Sequence, residues 1–402
     1  ALVVTIVVLL ILAGITISLV FSENGIIAKA REAAEKTNQA IINEQTQMND
    51  VATAMENMLN GTGGSTTPEE PEGCPAEEFE KWNGTSDDKV NAVQSTDTTP
   101  ITVPVPKGYI ASKVTGETTV EDGFVIYEGE EEVNDANKDT AQTTRNQFVW
   151  VPVANPSEMY GRDENCKKWG KLYNFSSTGI TANNWTEKDG VMSVTSATSS
   201  REPDVASSDS SNSVTLTQLE TEFNSMIASV EKYGGFYIGR YETGGLSQTE
   251  AVVVKNNSDI GRQTWYTQYK KAKGVAANSN VTTTMIWGCQ WDAVMRWLYN
   301  SGDAEKKTYT YDSTGKGNYD GTQGSTNKII PTGSNDTYAV NNIYDMAGNV
   351  RDWTIEAFST NNRVSRGGNY NLSASSNPAS SRSNNSPTYS YSSLGSRLAL
   401  YM

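Results

Sequence analysis

Apolar positions fall into three regimes along this chain. Ala1 to Phe21 (ALVVTIVVLLILAGITISLVF) carries no charge, and as a helix it would span about 31 Å, the depth of a bilayer core. From Ser22 to Leu59 the apolar residues thin to a stripe, with Ala34, Ile41, Met48, Val51, Met55 and Met58 recurring at sevens, threes and fours. That is the mark of an amphipathic helix. Asn24-Gly25 is the one expected break, because glycine disfavours helix interiors by about 1 kcal/mol. If continuous, residues 1–59 would form a rod of about 88 Å.

The second regime, residues 60–103, combines Gly, Thr and Pro with a run of glutamates and reads as an acidic, solvated linker. The third, residues 104–402, alternates short β-branched or aromatic runs with Gly/Asn/Ser turns, the pattern of an irregular α+β or mostly β domain. Expected strands include Gly123 to Tyr127, Gln147 to Val153, Gly235 to Arg240 and Arg397 to Tyr401. Trp287, Trp291, Val294, Met295 and Leu298 follow the i, i+4, i+7, i+8, i+11 spacing of a core-facing helix around Gln290 to Tyr299. Residues 162–215, rich in Ser, Thr, Asn and Asp, read as a polar surface insertion with little core of its own.

Composition then removes whole classes of function. The formal charge of −15 leaves no cationic footprint for nucleic acid. With no histidine, there is no serine–histidine–acid triad, no His-ligated metal and no imidazole proton shuttle. Cys74, Cys166 and Cys289 lack C-x-x-C spacing. In an exported protein they allow one disulfide among three pairings, with Cys289, inside Trp287-Gly-Cys-Gln-Trp291, expected to pack as a small buried hydrophobe.

The amino-terminal pattern resembles type IV pilins and pseudopilins, particularly the pilin-like proteins of Gram-positive bacteria. The resemblance implies a helix that waits in the cytoplasmic membrane and then enters the core of an extracellular filament, a helical homopolymer of the chain itself. Helices apolar all round must be buried on all sides, and a bundle of identical helices meets that need outside lipid. Pilins commonly carry a glutamate near the mature start, a position where this chain has none. A single-span anchor for a surface receptor, or a minor pseudopilin, is the alternative.

Four further segments carry a second resemblance: Phe148-Val-Trp-Val-Pro-Val153, Gly235-Phe-Tyr-Ile-Gly-Arg-Tyr-Glu242, Ile343-Tyr-Asp-Met-Ala-Gly-Asn-Val-Arg-Asp-Trp353, and Arg363-Val-Ser-Arg-Gly-Gly368 leading to Gly395-Ser-Arg-Leu-Ala-Leu400. In this order they resemble the formylglycine-generating-enzyme (sulfatase-modifying factor) family, whose fold is a variant of the C-type lectin fold. The two resemblances together imply an α+β fold class, a long amino-terminal pilin-like helix followed by an irregular C-type-lectin-like domain. Arg351-Asp352 stands where the family usually shows Trp-Glu, and Ser396 where it shows Phe. The family's oxidase branch needs a cysteine pair near the carboxy terminus and its sulfoxide-synthase branch needs histidines. This chain has neither, so a non-enzyme is expected.

From Asn369 to Ser396, 19 of 28 residues are Asn, Ser or Tyr, and Lys, Asp and Glu are absent, which sets the stretch apart from an ordinary polar loop. A disordered low-complexity tail would explain the bias, but Arg397 to Met402 alternates like a buried final strand and would pin the segment at both ends. The composition resembles the variable region of proteins diversified by retroelements, in which adenine mutation scatters asparagine codons. Under that resemblance Arg366, Gly367, Gly368, Pro378, Arg382, Pro387, Gly395 and Arg397 would stay fixed. Tyrosine gives wide amphipathic contact at low rotamer cost and Ser and Asn give adaptable hydrogen bonds, as in antibody paratopes. The expected contact residues are Asn369, Tyr370, Asn371, Ser373, Ser375, Asn377, Ser383, Asn384, Asn385, Tyr389, Tyr391 and Ser393, facing a protein or glycan ligand. No cofactor is required. Asp345, Asn349 and Asp352 supply hard oxygens for a candidate calcium site close to where that family holds calcium, the alternative being residues that cap turns.

Overall fold

The computed structural model describes residues 74, 79–188, 191–194, 214–275, 278–320, 328–359 and 362–402. The chain divides into two units, Ala1–Glu69 and Glu70–Met402. The pilin-like helix of residues 1–59 and the first part of the linker lie outside the described residues. Among the described residues no helix is long and apolar enough to cross a membrane.

Strands dominate the second unit. β1 (Val90–Gln94) pairs antiparallel with β2 (Thr102–Pro106), and β3 (Tyr109–Ala111) and β4 (Val125–Glu128) precede the short helix α1 (Lys138–Thr144) and β5 (Gln147–Pro152). Next come β6 (Tyr160–Arg162), β7 (Lys168–Phe175), β8 (Ile180–Lys188) and β9 (Val191–Val194), an antiparallel sheet in that order. Helix α2 (Leu216–Tyr233) leads into β10 (Gly235–Gly239), and α3 (Trp265–Ala272), β11 (Thr282–Met285), α4 (Gly288–Tyr299) and α5 (Ala304–Tyr311) follow. The hairpin of β12 (Ala339–Val340) and β13 (Ile343–Tyr344) precedes β14 (Arg351–Ser359), β15 (Asn362–Arg366), β16 (Arg382–Asn385) and β17 (Leu394–Ser396). The last strand is β18 (Leu398–Tyr401).

The central sheet runs β11-β18-β10-β5-β4-β3, antiparallel throughout. Its middle strands are apolar at successive positions rather than alternate ones, because both faces are covered. Every residue of β10 and β18 is buried. Helix α2 lies against β10 and β18, and α4 against β5, β7 and β14. The residues Trp287, Trp291, Val294, Met295 and Leu298 are all fully buried, so the expected spacing does mark the inward face of α4. At its start the Gln290 side chain accepts the Trp287 N–H at 3.1 Å, half of a capping box. Helix α2 presents Leu219, Phe223, Met226, Ile227 and Val230 to the core. It is capped by the Thr215 hydroxyl and stopped by Gly234 at φ 75°, a left-handed turn that glycine adopts without strain.

Two boundaries differ from the sequence reading. β1 and the start of β2 fall inside the stretch assigned to the linker, and Val90 and Val103 are fully buried because the hairpin closes over the core. Residues 162–215 hold β7 to β9 and part of β6. Gly170 and Leu172 face inward and Glu187 is buried, so the described part of this segment, up to residue 194, is a sheet built into the domain. Hydropathy missed it because only one residue in two points inward and one of those is a carboxylate.

Cys74 and Cys166 form the disulfide, with Cα atoms 5.5 Å apart, and Cys289 is a buried free thiol. The bridge closes a loop with a sequence separation of 92 residues. A loop of that length corresponds to about 4–5 kcal/mol of lost unfolded-state entropy in the chain-entropy model. Cys166→Ser, or reduction of the wild type, is expected to lower unfolding stability by roughly 2–4 kcal/mol, measured by urea denaturation.

Candidate ligand-binding face

The segment between β15 and β18 folds over a buried ionic frame. Arg366, ending β15, donates to Asp292 of α4 at 2.6 Å and reaches Glu356 of β14 at 3.4 Å, and all three are essentially without solvent exposure. Arg382, opening β16, donates from Nε to Glu356 at 3.0 Å and also pairs with Asp292. Two cations are thereby neutralised by two anions, and the loop between them must begin and end at fixed points. Gly368 passes so close to Tyr319 that a Cβ would lie 2.2 Å from its ring, so only glycine fits.

Arg351 adds a second tie. Buried and without a carboxylate partner, it donates from Nη1 to the Gly367 carbonyl at 2.9 Å and from Nη2 to Asn377 Oδ1 at 2.6 Å, and burial pushes its guanidinium down to about 10. Its backbone N–H donates to the Ser393 carbonyl at 2.8 Å. Where the family resemblance led to Trp-Glu, this chain uses an arginine to stitch the two loops to β14. Arg397 does the same for the last strands. It donates to Asp352 at 3.0 Å and to the Gly239 and Tyr344 carbonyls at 2.9 and 2.7 Å.

On this frame the twelve expected contact residues separate. Asn371, Ser373, Ser375, Asn384, Tyr389 and Tyr391 are exposed, and Tyr370, Asn377, Ser383, Asn385 and Ser393 are half-buried. Asn369 is buried and caps its own turn by accepting the Asn371 N–H at 2.9 Å, and Asn377 is engaged by Arg351, so both shape the loop from beneath. The Tyr370 hydroxyl and Ser392 Oγ, 3.2 Å apart, join the first loop to the last. Tyr389 and Tyr391 are 44% and 55% exposed with ring centroids 5.0 Å apart, a large apolar surface left open to solvent. Two neighbours escape any reading of the segment alone. Asn362 donates to Asn384 Oδ1 at 2.9 Å, and the turn at Gly261-Arg262 lies along Tyr391 and Ser392, with the Arg262 N–H on the Tyr391 carbonyl at 3.2 Å. Nothing in the sequence signals that second contact, which joins positions far apart in the chain.

Asp345, Asn349 and Asp352 are buried and already engaged. Asp345 Oδ2 accepts from the Thr332 hydroxyl and the Gly333 N–H at 3.0 and 2.8 Å. Asn349 donates to Glu242 at 2.6 Å while its Oδ1 accepts from Asn318 and the Ile330 N–H, and Asp352 accepts from Arg397. All three side chains thus hold protein partners, while Asp352 Oδ1 is buried without one, and among the described residues no group of three His, Cys, Asp or Glu side chains is arranged to hold a metal ion. Burial raises the carboxyls of Glu242 and Asp345, and that of Asp352 to about 6 despite its arginine.

The tie between Asp352 and Arg397, with the glycine pair after Arg366, places the motif residues in one buried framework. Residues 287–402 match the family model described as sulfatase-modifying factor enzyme 1-like domain. The sequence resemblance was drawn over residues 104–402, and the match covers its carboxy-terminal part. Among solved structures, PvdO from Pseudomonas aeruginosa is similar at 17% identity, over 42% of this chain and 82% of that one, with a TM-score of 0.32. Treponema denticola variable protein 1 is similar at 17% identity over 42% and 85%, TM-score 0.30, and CarF at 16% over 42% and 87%, TM-score 0.33. No curated protein matches the chain. The sulfatase-modifying-factor-like domain here is β-rich, with few helices.

Below the frame sits one acid without a cationic partner of its own. Glu187 accepts the Cys289 N–H at 3.2 Å, its other oxygen is buried without a partner, and burial reinforced by the charge of Glu356 pushes it up to about 8. A carboxyl raised from 4.5 holds more protons folded than unfolded, so stability falls as pH rises from about 4.5 to about 8. Glu187→Gln is expected to raise the melting temperature at pH 8 and to give no gain at pH 5, read by differential scanning calorimetry.

Proposed function

We propose that this chain is a non-catalytic adhesion protein, a subunit of an extracellular type IV pilus-like filament that displays the Asn/Ser/Tyr face as a diversifiable ligand-binding surface. The observation that carries the binding role is the exposed Tyr389–Tyr391 pair on a loop held by backbone hydrogen bonds, the N–H groups of Arg351, Arg262 and Trp265 donating to the carbonyls of Ser393, Tyr391 and Pro387. Rigid backbone with open, rotamer-poor aromatic rings is how paratopes gain affinity without ordering costs. The match of residues 287–402 to the sulfatase-modifying-factor model supports a lectin-like scaffold, and the lack of any histidine, or of any cysteine after Cys289, argues against the chemistry that scaffold supports elsewhere.

Replacing Tyr389 and Tyr391 together by alanine is expected to weaken attachment of the protein to its target surface at least tenfold while leaving the melting temperature within a degree or two, since both rings are outside the core. Unchanged attachment would exclude this face.

The filament half of the proposal stands on the apolar run of residues 1–21 and the amphipathic stripe that follows it. Multivalent display along a fibre would turn weak single contacts into firm adhesion. Electron microscopy of the purified full chain after detergent removal is expected to show fibres. Detergent-dependent single particles would instead favour the membrane-anchored surface receptor, for which the same apolar run serves as an anchor.

A further inference from the structure

We propose that Arg262 and the Tyr389–Tyr391 pair form one subsite for a carboxylate-bearing sugar, a uronic-acid unit of an anionic glycan. The proposal rests on the reading of this face as ligand-binding and adds the chemistry of what it binds.

Arg262 is exposed and held at φ 65°, the left-handed region that a residue with a Cβ rarely occupies. What holds it there is the tyrosine loop. Its N–H donates to the Tyr391 carbonyl, the preceding Gly261 lies against the Ser392 carbonyl where a Cβ would approach to 2.5 Å, and the Trp265 N–H secures the other end on the Pro387 carbonyl at 3.0 Å. An unfavourable backbone conformation at three contacts to one loop sets the Arg262 backbone against that loop, within side-chain reach of its crest.

Charge distribution gives the position its meaning. Arg240, Arg296, Arg366, Arg382 and Arg397 all have carboxylate partners, and Arg145, Arg351 and Arg363 donate to carbonyls. Among the described residues the Arg262 side chain has no ion pair and no hydrogen bond, in a protein carrying a net charge of −15. The adjoining segment has no Lys, Asp or Glu, and Arg382 is already neutralised underneath. The face therefore presents one open cation on a neutral ground. A guanidinium fork matches a carboxylate in two parallel hydrogen bonds. The tyrosine rings, tilted 56° to each other, offer flat apolar walls to the C–H face of a sugar ring, and the exposed Ser390 supplies a hydroxyl for its hydroxyl groups, Ser386 with Thr388 and Ser392 with Tyr370 being already paired. An acidic peptide would share the carboxylate but brings no saturated ring bearing it to lie flat between the two aromatic walls.

The test uses the full chain in detergent and three probes: an oligogalacturonate, its methyl ester, and an oligoglutamate peptide, each titrated calorimetrically. The oligogalacturonate is expected to bind, to weaken severalfold between about 50 and about 500 mM salt, and to lose at least tenfold in affinity with Arg262→Gln, with Arg262→Lys recovering part of the loss. Tyr389→Ala with Tyr391→Ala should abolish it. The proposal is overturned if the oligogalacturonate does not bind, if its methyl ester binds equally well, if Arg262→Gln has no effect, or if oligoglutamate binds more tightly. Should Arg262→Gln be silent while the tyrosine substitutions still abolish attachment to the target surface, the uronate proposal fails and the ligand-binding face stands. Silence of the tyrosine substitutions in that attachment assay removes the face itself.

Discussion

Two guanidinium groups and two carboxylates, Arg366 and Arg382 with Asp292 and Glu356, meet where water is excluded, and the geometry of the carboxy-terminal loops follows from that meeting. Ion pairs of this kind contribute little net stability, because desolvation offsets most of the attraction. Their effect is positional. Removing any one member would strand a buried charge, so helix α4, strands β14 to β16 and the loop that leaves after Arg366 and returns at Arg382 have a narrow range of relative placements. Once both ends of a loop are fixed in this way, the side chains at its crest can vary without altering its course. The frame separates what must be constant from what can change.

The same economy explains why the face is neutral. Charges in this part of the chain are consumed below the surface: Arg351 on loop carbonyls and Asn377, Arg397 on Asp352, and the acids Glu242 and Asp345 on amide and hydroxyl donors. What remains above is hydroxyl, amide and phenol. Apart from the single cation at Arg262, a surface of that kind imposes little long-range field on an approaching ligand, so selectivity arises at contact distance from shape, stacking and individual hydrogen bonds.

Much of this was legible in the sequence, and the gaps have physical causes. The core helix α4 and strands β5, β10 and β18 declared themselves because dense apolar runs have few alternative uses. Arg366, Gly367, Gly368, Arg382 and Arg397 were readable as residues that would shape the backbone. The frame shows what they shape, although Asp292 and Glu356 could not be paired with them from sequence, since ion pairing leaves no periodic trace. Helix α2 was overlooked although Leu219, Phe223, Met226, Ile227 and Val230 form an ordinary stripe, because it adjoins a Ser/Thr-rich stretch that dilutes the local hydropathy. Among the expected contact residues, Tyr389 and Tyr391 are exposed, whereas the inward roles of Asn369 and Asn377 depend on where a carboxamide points, which composition does not specify.

The bridge between Cys74 and Cys166 has a mechanical consequence. A pull applied to the polypeptide upstream of residue 74 would enter the folded body through a covalent link into the turn before β7, bypassing the β1–β2 hairpin. Unzipping from the first strand, the easiest route for a load arriving at one end of a sheet, is thereby short-circuited. Traction reaches the fold at the turn that joins β6 to β7.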